Sequence, residues 1–142
     1  MADRRASATW QGDLFEGSGT VTAATSALFT DAPVTWAART EDAGGRTSPE
    51  ELLAAAHAAC FSMAFSNELS SRGAVPERLD VEATCTFVPG QGVTTMVLRV
   101  TAAVPGADEA TFGQARAAAE ESCPVSGALR GNVAIRVEVS RA

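Results

Sequence analysis

The polar and apolar positions of this chain change period several times, and each change marks an element. Three stretches near the start, "ASATWQG", "GTVTAAT" and "PVTWAAR", are short and separated by Gly, Asp and Pro positions that favour turns; they predict strands. A glycine-rich loop, "TEDAGGRT", then leads into "SPEELLAAAHAACFSMAFS", a helix that is apolar nearly all the way round. Its start is marked by Ser48 as N-cap, Pro49 at the first helical position and Glu51 as the capping-box carboxylate, which leaves Glu50 free. With Thr47 as the cap, the two glutamates would exchange roles. Gly73 and then Pro76 predict its end.

Downstream, "RLDVEATCTFV" and "GVTTMVLRVTAAV" alternate with period two around "PGQG" and predict an antiparallel hairpin. Val81, Ala83, Cys85 and Phe87 share one face; Met96, Leu98, Val100, Ala102 and Val104 share another. A second helix is expected from about Asp108 to Glu121, with Phe112, Ala115 and Ala119 at helical spacing, interrupted at Cys123-Pro124. A helical turn, "PVSGAL", and a strand, "NVAIRVEVS", with Val133, Ile135, Val137 and Val139 inward, complete the pattern. The expected fold is α+β, a mainly antiparallel sheet with a long central helix, in a single domain over residues 1–142.

A helix apolar on every face must be covered on every face, and a small sheet covers only one side. Ala54, Ala55, Ala56, Ala58 and Ala59 would let another backbone approach closely. The uncovered face is therefore expected to pack on the same helix of a second subunit, in a twofold, intertwined homodimer.

Composition narrows the function. At 46% apolar and 20% charged residues the chain can bury a core without disulfides. A net charge of -6, with Lys and Arg in no run, argues against nucleic acid or an anionic membrane as partner. The N-terminus has no apolar segment of a secretory signal, and the weakly polar run from Leu52 to Phe65 is too short to span a bilayer. A soluble, cytoplasmic protein is expected. An odd count of three cysteines leaves catalytic, metal-binding or merely buried thiols.

Cys85, in a strand among apolar neighbours, reads as a small buried hydrophobe. Cys123 immediately precedes Pro124 at the start of a short helix, where backbone N–H groups favour a thiolate. Cys60, in mid-helix, has no such help, and burial would raise its pKa. His57 shares a face with Cys60 and reads either as a satisfied core residue or as a partner for a thiolate. His57, Cys60 and Cys123 could supply three zinc ligands, with no obvious fourth. Arg39, expected in a loop after a strand, is either a solvated surface residue or, turned inward, a partner for a thiolate and a carboxylate at once.

"WQGDLFEGSGTV", "AARTEDAGG", "SPEELLAAAHAACFSMAFS", "AVPG" and "CPVSGAL" together give the chain, over nearly its whole length, a close resemblance to the OsmC family. These are the osmotically inducible hydroperoxide reductases related to the organic hydroperoxide resistance proteins. The resemblance implies that Cys60 is the peroxidatic cysteine, Cys123 the resolving cysteine, and Glu50 and Arg39 the accompanying carboxylate and guanidinium. The branch of organic hydroperoxide resistance proteins carries its arginine just after the first strand, where "QGDLFEG" has none. "HAACF" in place of that branch's Tyr-Ala-Ala-Cys also points to OsmC proper. Ser48 stands where the family often has Asn, a change among cap-competent residues.

The implied reaction is reduction of alkyl or fatty-acid hydroperoxides in preference to hydrogen peroxide, through a Cys60 sulfenic acid and a Cys60-Cys123 disulfide. A dithiol carried by a lipoylated protein restores the thiols, and no flavin, haem or metal is required. On one continuous helix, Glu50 and Cys60 would stand about 15 Å apart along the axis and point about 80° apart around it. Either the helix breaks between them, or Glu50 serves the site of the other subunit; with a twofold antiparallel helix pair the second is expected, a site shared across the dimer. A non-enzymatic redox sensor, a zinc-binding structural dimer and a hydrophobic-ligand binder are rival readings of the same residues. Light scattering at micromolar concentration is expected to give twice the mass of one chain; a strict monomer removes the twofold helix contact.

Overall fold

A computed structural model of the chain describes residues 1–142, which form two compact units, 1–52 and 53–142. In the first, β1 (Ser7–Gln11), β2 (Ser18–Thr22) and β3 (Ala32–Val34) make an antiparallel sheet in that order. Trp10 lies opposite Gly19, where an added Cβ would meet the Trp10 ring at 2.7 Å, so the indole covers a position that only glycine leaves open. The third expected strand is cut short. Thr35 turns the chain out of β3, and its hydroxyl accepts the Ala38 N–H at 3.1 Å, so residues Trp36–Thr40 form helix α1. Arg39 therefore stands on a capped helical turn and not in a loop.

Helix α2 (Pro49–Ser71) begins in the first unit and continues through the second without a break. Ser48 Oγ accepts the Glu51 N–H at 3.1 Å, which makes Ser48 the cap. The Glu51 carboxylate, however, accepts from the Thr47 hydroxyl at 2.7 Å and does not complete a capping box. At the far end Gly73 has φ +79, and the Ala74 N–H reaches back to the Leu69 carbonyl at 3.0 Å, the left-handed stop that glycine permits.

The second unit sets a mixed sheet, ordered β4-β5-β6, against helices. β4 (Arg78–Val88) and β5 (Gly92–Ala103) are the expected antiparallel hairpin, with an irregularity at Thr86/Phe87. Parallel strands need a crossover, and α3 (Glu109–Ser122) with α4 (Pro124–Leu129) supplies one, so β6 (Ala134–Arg141) pairs parallel with β5. Asp108 caps α3 by accepting the Thr111 N–H at 2.7 Å. The core is built from Phe61, Phe65 and Leu69 at four-residue spacing on α2, the inward face of β5, and Phe112, Ala115 and Ala119 of α3. Phe65 sits between Phe61 and Phe112, with ring centroids 5.9 and 5.5 Å away. Ala55, Ala56, Ala59 and Met63, on another side of α2, are exposed in the single chain.

Phe65 is fully buried. Phe65→Ala is expected to cost about 3–5 kcal/mol of folding stability, read as a lower urea midpoint at unchanged slope.

Candidate functional site

Two polar arrangements stand out, one in each unit. In the first, Glu50 lies in the opening turn of α2, where the helix N-terminus favours a carboxylate. Because Ser48 and Thr47 occupy the cap and Glu51, Glu50 is left to turn inward, and it is 6% exposed. Arg39, in the last turn of α1, grips it with a fork: Nε donates to both carboxylate oxygens at 2.9 and 3.2 Å, and Nη2 donates to Oε1 at 2.8 Å. The guanidinium also lies 5.8 Å from the centre of the Trp36 ring. Beside it opens a cleft of about 330 Å³ walled by Trp10, Leu14, Val34, Trp36 and Pro49, an apolar trough with Arg39 at its edge.

In the second unit, Cys60 of α2 and Cys123 at the α3–α4 junction bring their sulfurs to 3.4 Å, with no disulfide between them. Cys123 ends α3 and opens α4, and Pro124 at the first position of α4 forces the turn. The next backbone N–H groups have no partners inside the helix and address the sulfurs: Val125 reaches both, Ser126 reaches Cys123. Burial alone would push the Cys123 thiol up. Hydrogen bonds from the Ser126 N–H and hydroxyl, from Cys60 and from the Val125 N–H outweigh it and bring the thiol below its ordinary value. Cys60 moves the other way: burial raises it, the Val125 N–H opposes, and neighbouring Cys123 adds to the rise. The two sulfurs share one hydrogen bond, and in the isolated chain Cys123 is the more acidic of the pair.

Behind the thiols, His57 Nε2 and Ser126 Oγ are 2.7 Å apart and both side chains are buried. His57 Nδ1 has no hydrogen-bond partner, and burial lowers the ring's pKa. Ser126 was not singled out by the sequence; the available signal was its place one turn after Cys123 at the start of a helix. No group of three or more His, Cys, Asp or Glu side chains is arranged to hold a metal ion. Cys85 lies on β4 opposite Met96. No helix is long and apolar enough to cross a membrane.

A model of the OsmC-like protein family matches residues 41–138. The chain is 37% identical over 135 residues, 93% of each protein, to the peroxiredoxin OsmC of Escherichia coli (strain K12). It is 33% identical over 102 residues, 68% of this chain and 69% of the other, to the organic hydroperoxide resistance protein of Xanthomonas axonopodis pv. citri (strain 306). Among solved structures, an organic hydroperoxide resistance protein OsmC from Legionella pneumophila superposes with a TM-score of 0.68 at 26% identity, over 99% of both chains.

A mild thiol oxidant is expected to join Cys60 to Cys123, closing 3.4 Å to the roughly 2.05 Å of a disulfide, and to leave Cys85 as the one remaining thiol. Intact mass and thiol counting check this; a disulfide that maps to Cys85 contradicts it.

Proposed function

The chain belongs to the OsmC-like family, and from that membership and its paired thiols we propose that it is a cysteine-based peroxidase reducing organic hydroperoxides, and hydrogen peroxide more slowly. The observation that carries the reading is the 3.4 Å approach of Cys60 and Cys123, each still reduced. The Cys60 thiolate attacks the distal peroxide oxygen; the O–O bond breaks, the alkoxide takes up the proton that Cys60 had released and leaves as the alcohol, and Cys60 becomes a sulfenic acid. Cys123 displaces the sulfenic hydroxyl as water and forms the disulfide. An external dithiol, carried on a lipoylated protein, then takes the oxidation by thiol–disulfide exchange.

Within one chain, Cys60 is the less acidic of the two thiols. A guanidinium brought to it reverses that order, each pKa unit gained being worth about 1.4 kcal/mol. The Arg39–Glu50 pair is the natural source. Helix α2 is unbroken from Glu50 to Cys60, which removes the option of a break. We therefore assign the Arg39–Glu50 pair of one subunit to the partner subunit's Cys60, in a homodimer of OsmC type with the whole chain, residues 1–142, as its single domain. The exposed Ala55, Ala56, Ala59 and Met63 supply a surface for the twofold helix contact. The trough beside Arg39 suits the alkyl part of a hydroperoxide.

Consumption of cumene hydroperoxide and hydrogen peroxide with dihydrolipoyl reductant tests the reading. Wild type is expected to turn over the organic peroxide faster, and Cys60→Ser and Cys123→Ser are expected to lose dithiol-dependent turnover. A wild type no faster than Cys60→Ser would leave the scaffold without the catalysis.

A further inference from the structure

The peroxidase reading gives no task to His57 and Ser126, which are 0% and 3% exposed. His57 precedes Cys60 by three residues on α2, and Ser126 follows Cys123 by three residues on α4. Their 2.7 Å hydrogen bond therefore links the helix of one thiol to the helix of the other. A neutral imidazole carries its proton on one nitrogen only. A buried N–H without an acceptor is rarer and costlier than an unused lone pair, and Nδ1 has no partner. The proton therefore belongs on Nε2, which donates to Ser126 Oγ. Having accepted from His57, the Ser126 hydroxyl has its own proton left to turn toward the sulfur of Cys123, which caps the same short helix three residues earlier and whose thiol Ser126 helps to hold below its ordinary value. Burial, which lowers the His57 pKa, keeps the ring neutral and so keeps Nδ1 bare.

We propose that His57 and Ser126 are positioning residues, a donor chain running His57 Nε2–H to Ser126 Oγ–H to Cys123 Sγ that holds Cys123 ready to close the disulfide. The inference rests on reading Cys123 as the thiol that attacks oxidised Cys60. In that step the Cys123 thiolate supplies the electron pair of the new S–S bond and the S–O bond of the sulfenic acid breaks. The departing hydroxide takes up the proton that Cys123 had released and leaves as water. Once Cys60 is oxidised, its sulfur has no S–H left to donate to Cys123. The donor chain is what remains, together with the Val125 and Ser126 N–H groups, to hold the second sulfur as a thiolate.

The same attack can be followed without peroxide. In the reduced chain carrying Cys85→Ser, dithiobis(nitrobenzoate) reacts at Cys60, the more exposed of the two site thiols, and releases one thionitrobenzoate. Cys123 then attacks the mixed disulfide and releases the second. Ser126→Ala is expected to slow the second release about tenfold or more, the scale of one hydrogen bond to a charged group, with the first release unchanged. His57→Leu should slow it comparably, and His57→Gln, whose amide keeps a donor on that side, should restore it. Combining His57→Leu with Ser126→Ala should add nothing to Ser126→Ala alone, because both act through one hydroxyl.

A second release in Ser126→Ala within roughly twofold of the parent overturns the proposal. So does equal slowing of both releases, which would mark a general loosening. Ser126→Ala removes a single oxygen, so the test remains readable if His57→Leu fails to fold. Hydroperoxide turnover by the parent separates the two failures. A parent without turnover but with the Ser126-dependent exchange loses the peroxidase reading and keeps the donor chain. Turnover with exchange indifferent to Ser126 does the reverse.

Discussion

Two backbone N–H groups, those of Val125 and Ser126, carry the arrangement around the thiols. At the start of a helix such groups have no carbonyl to bond, and Pro124 before them has no N–H at all. Here they are satisfied by sulfur, and Val125 reaches both thiols. That geometry holds only while α2 keeps its rotation about its own axis, because a turn of the helix would carry Cys60 away. Phe61, Phe65 and Leu69 enforce the rotation, since each is fully buried and all three lie on one stripe. The chemistry of the pair is in this sense a property of the aromatic core.

Much of this was legible in the sequence where a local rule had a single solution. Ser48 before Pro49 gave the helix start, although the choice between Ser48 and Thr47 as cap, and with it the roles of Glu50 and Glu51, was settled only by the Glu51 N–H on Ser48 Oγ; Cys123 before Pro124 gave the break between two helices. Period-two alternation gave the hairpin with its faces. Reading failed where two local patterns competed. "PVTWAAR" has the β-branched and aromatic residues of a strand, but Thr35 can cap a helix, and the cap won. The parallel pairing of β6 was not visible because alternation reports which face is buried and says nothing of direction. Ser126 was missed for a different reason: its importance comes from His57, which is distant in the sequence and adjacent only once α4 is docked.

The two polar arrangements solve the cost of burial in opposite ways. Arg39 grips the Glu50 carboxylate through a fork, in a buried place where an unpaired carboxylate would be costly. A negative charge on the thiol pair would be spread over N–H donors and a hydroxyl. A charge held in this manner has no counter-ion of its own and responds strongly to any cation that approaches.

The parallel pairing of β6 bears on how the chain matures. Thr95 must find Ala134 across an intervening crossover, a long-range closure whose entropy is paid before the contact returns anything. The β4–β5 hairpin is local and can form earlier, while Cys123 lies inside the crossover and is seated only as it closes. Until then Cys60 is a thiol with no second sulfur beside it. On the peroxidase reading, a Cys60 oxidised in this interval has no resolving thiol in place, and its sulfenic acid lies open to the irreversible sulfinic state.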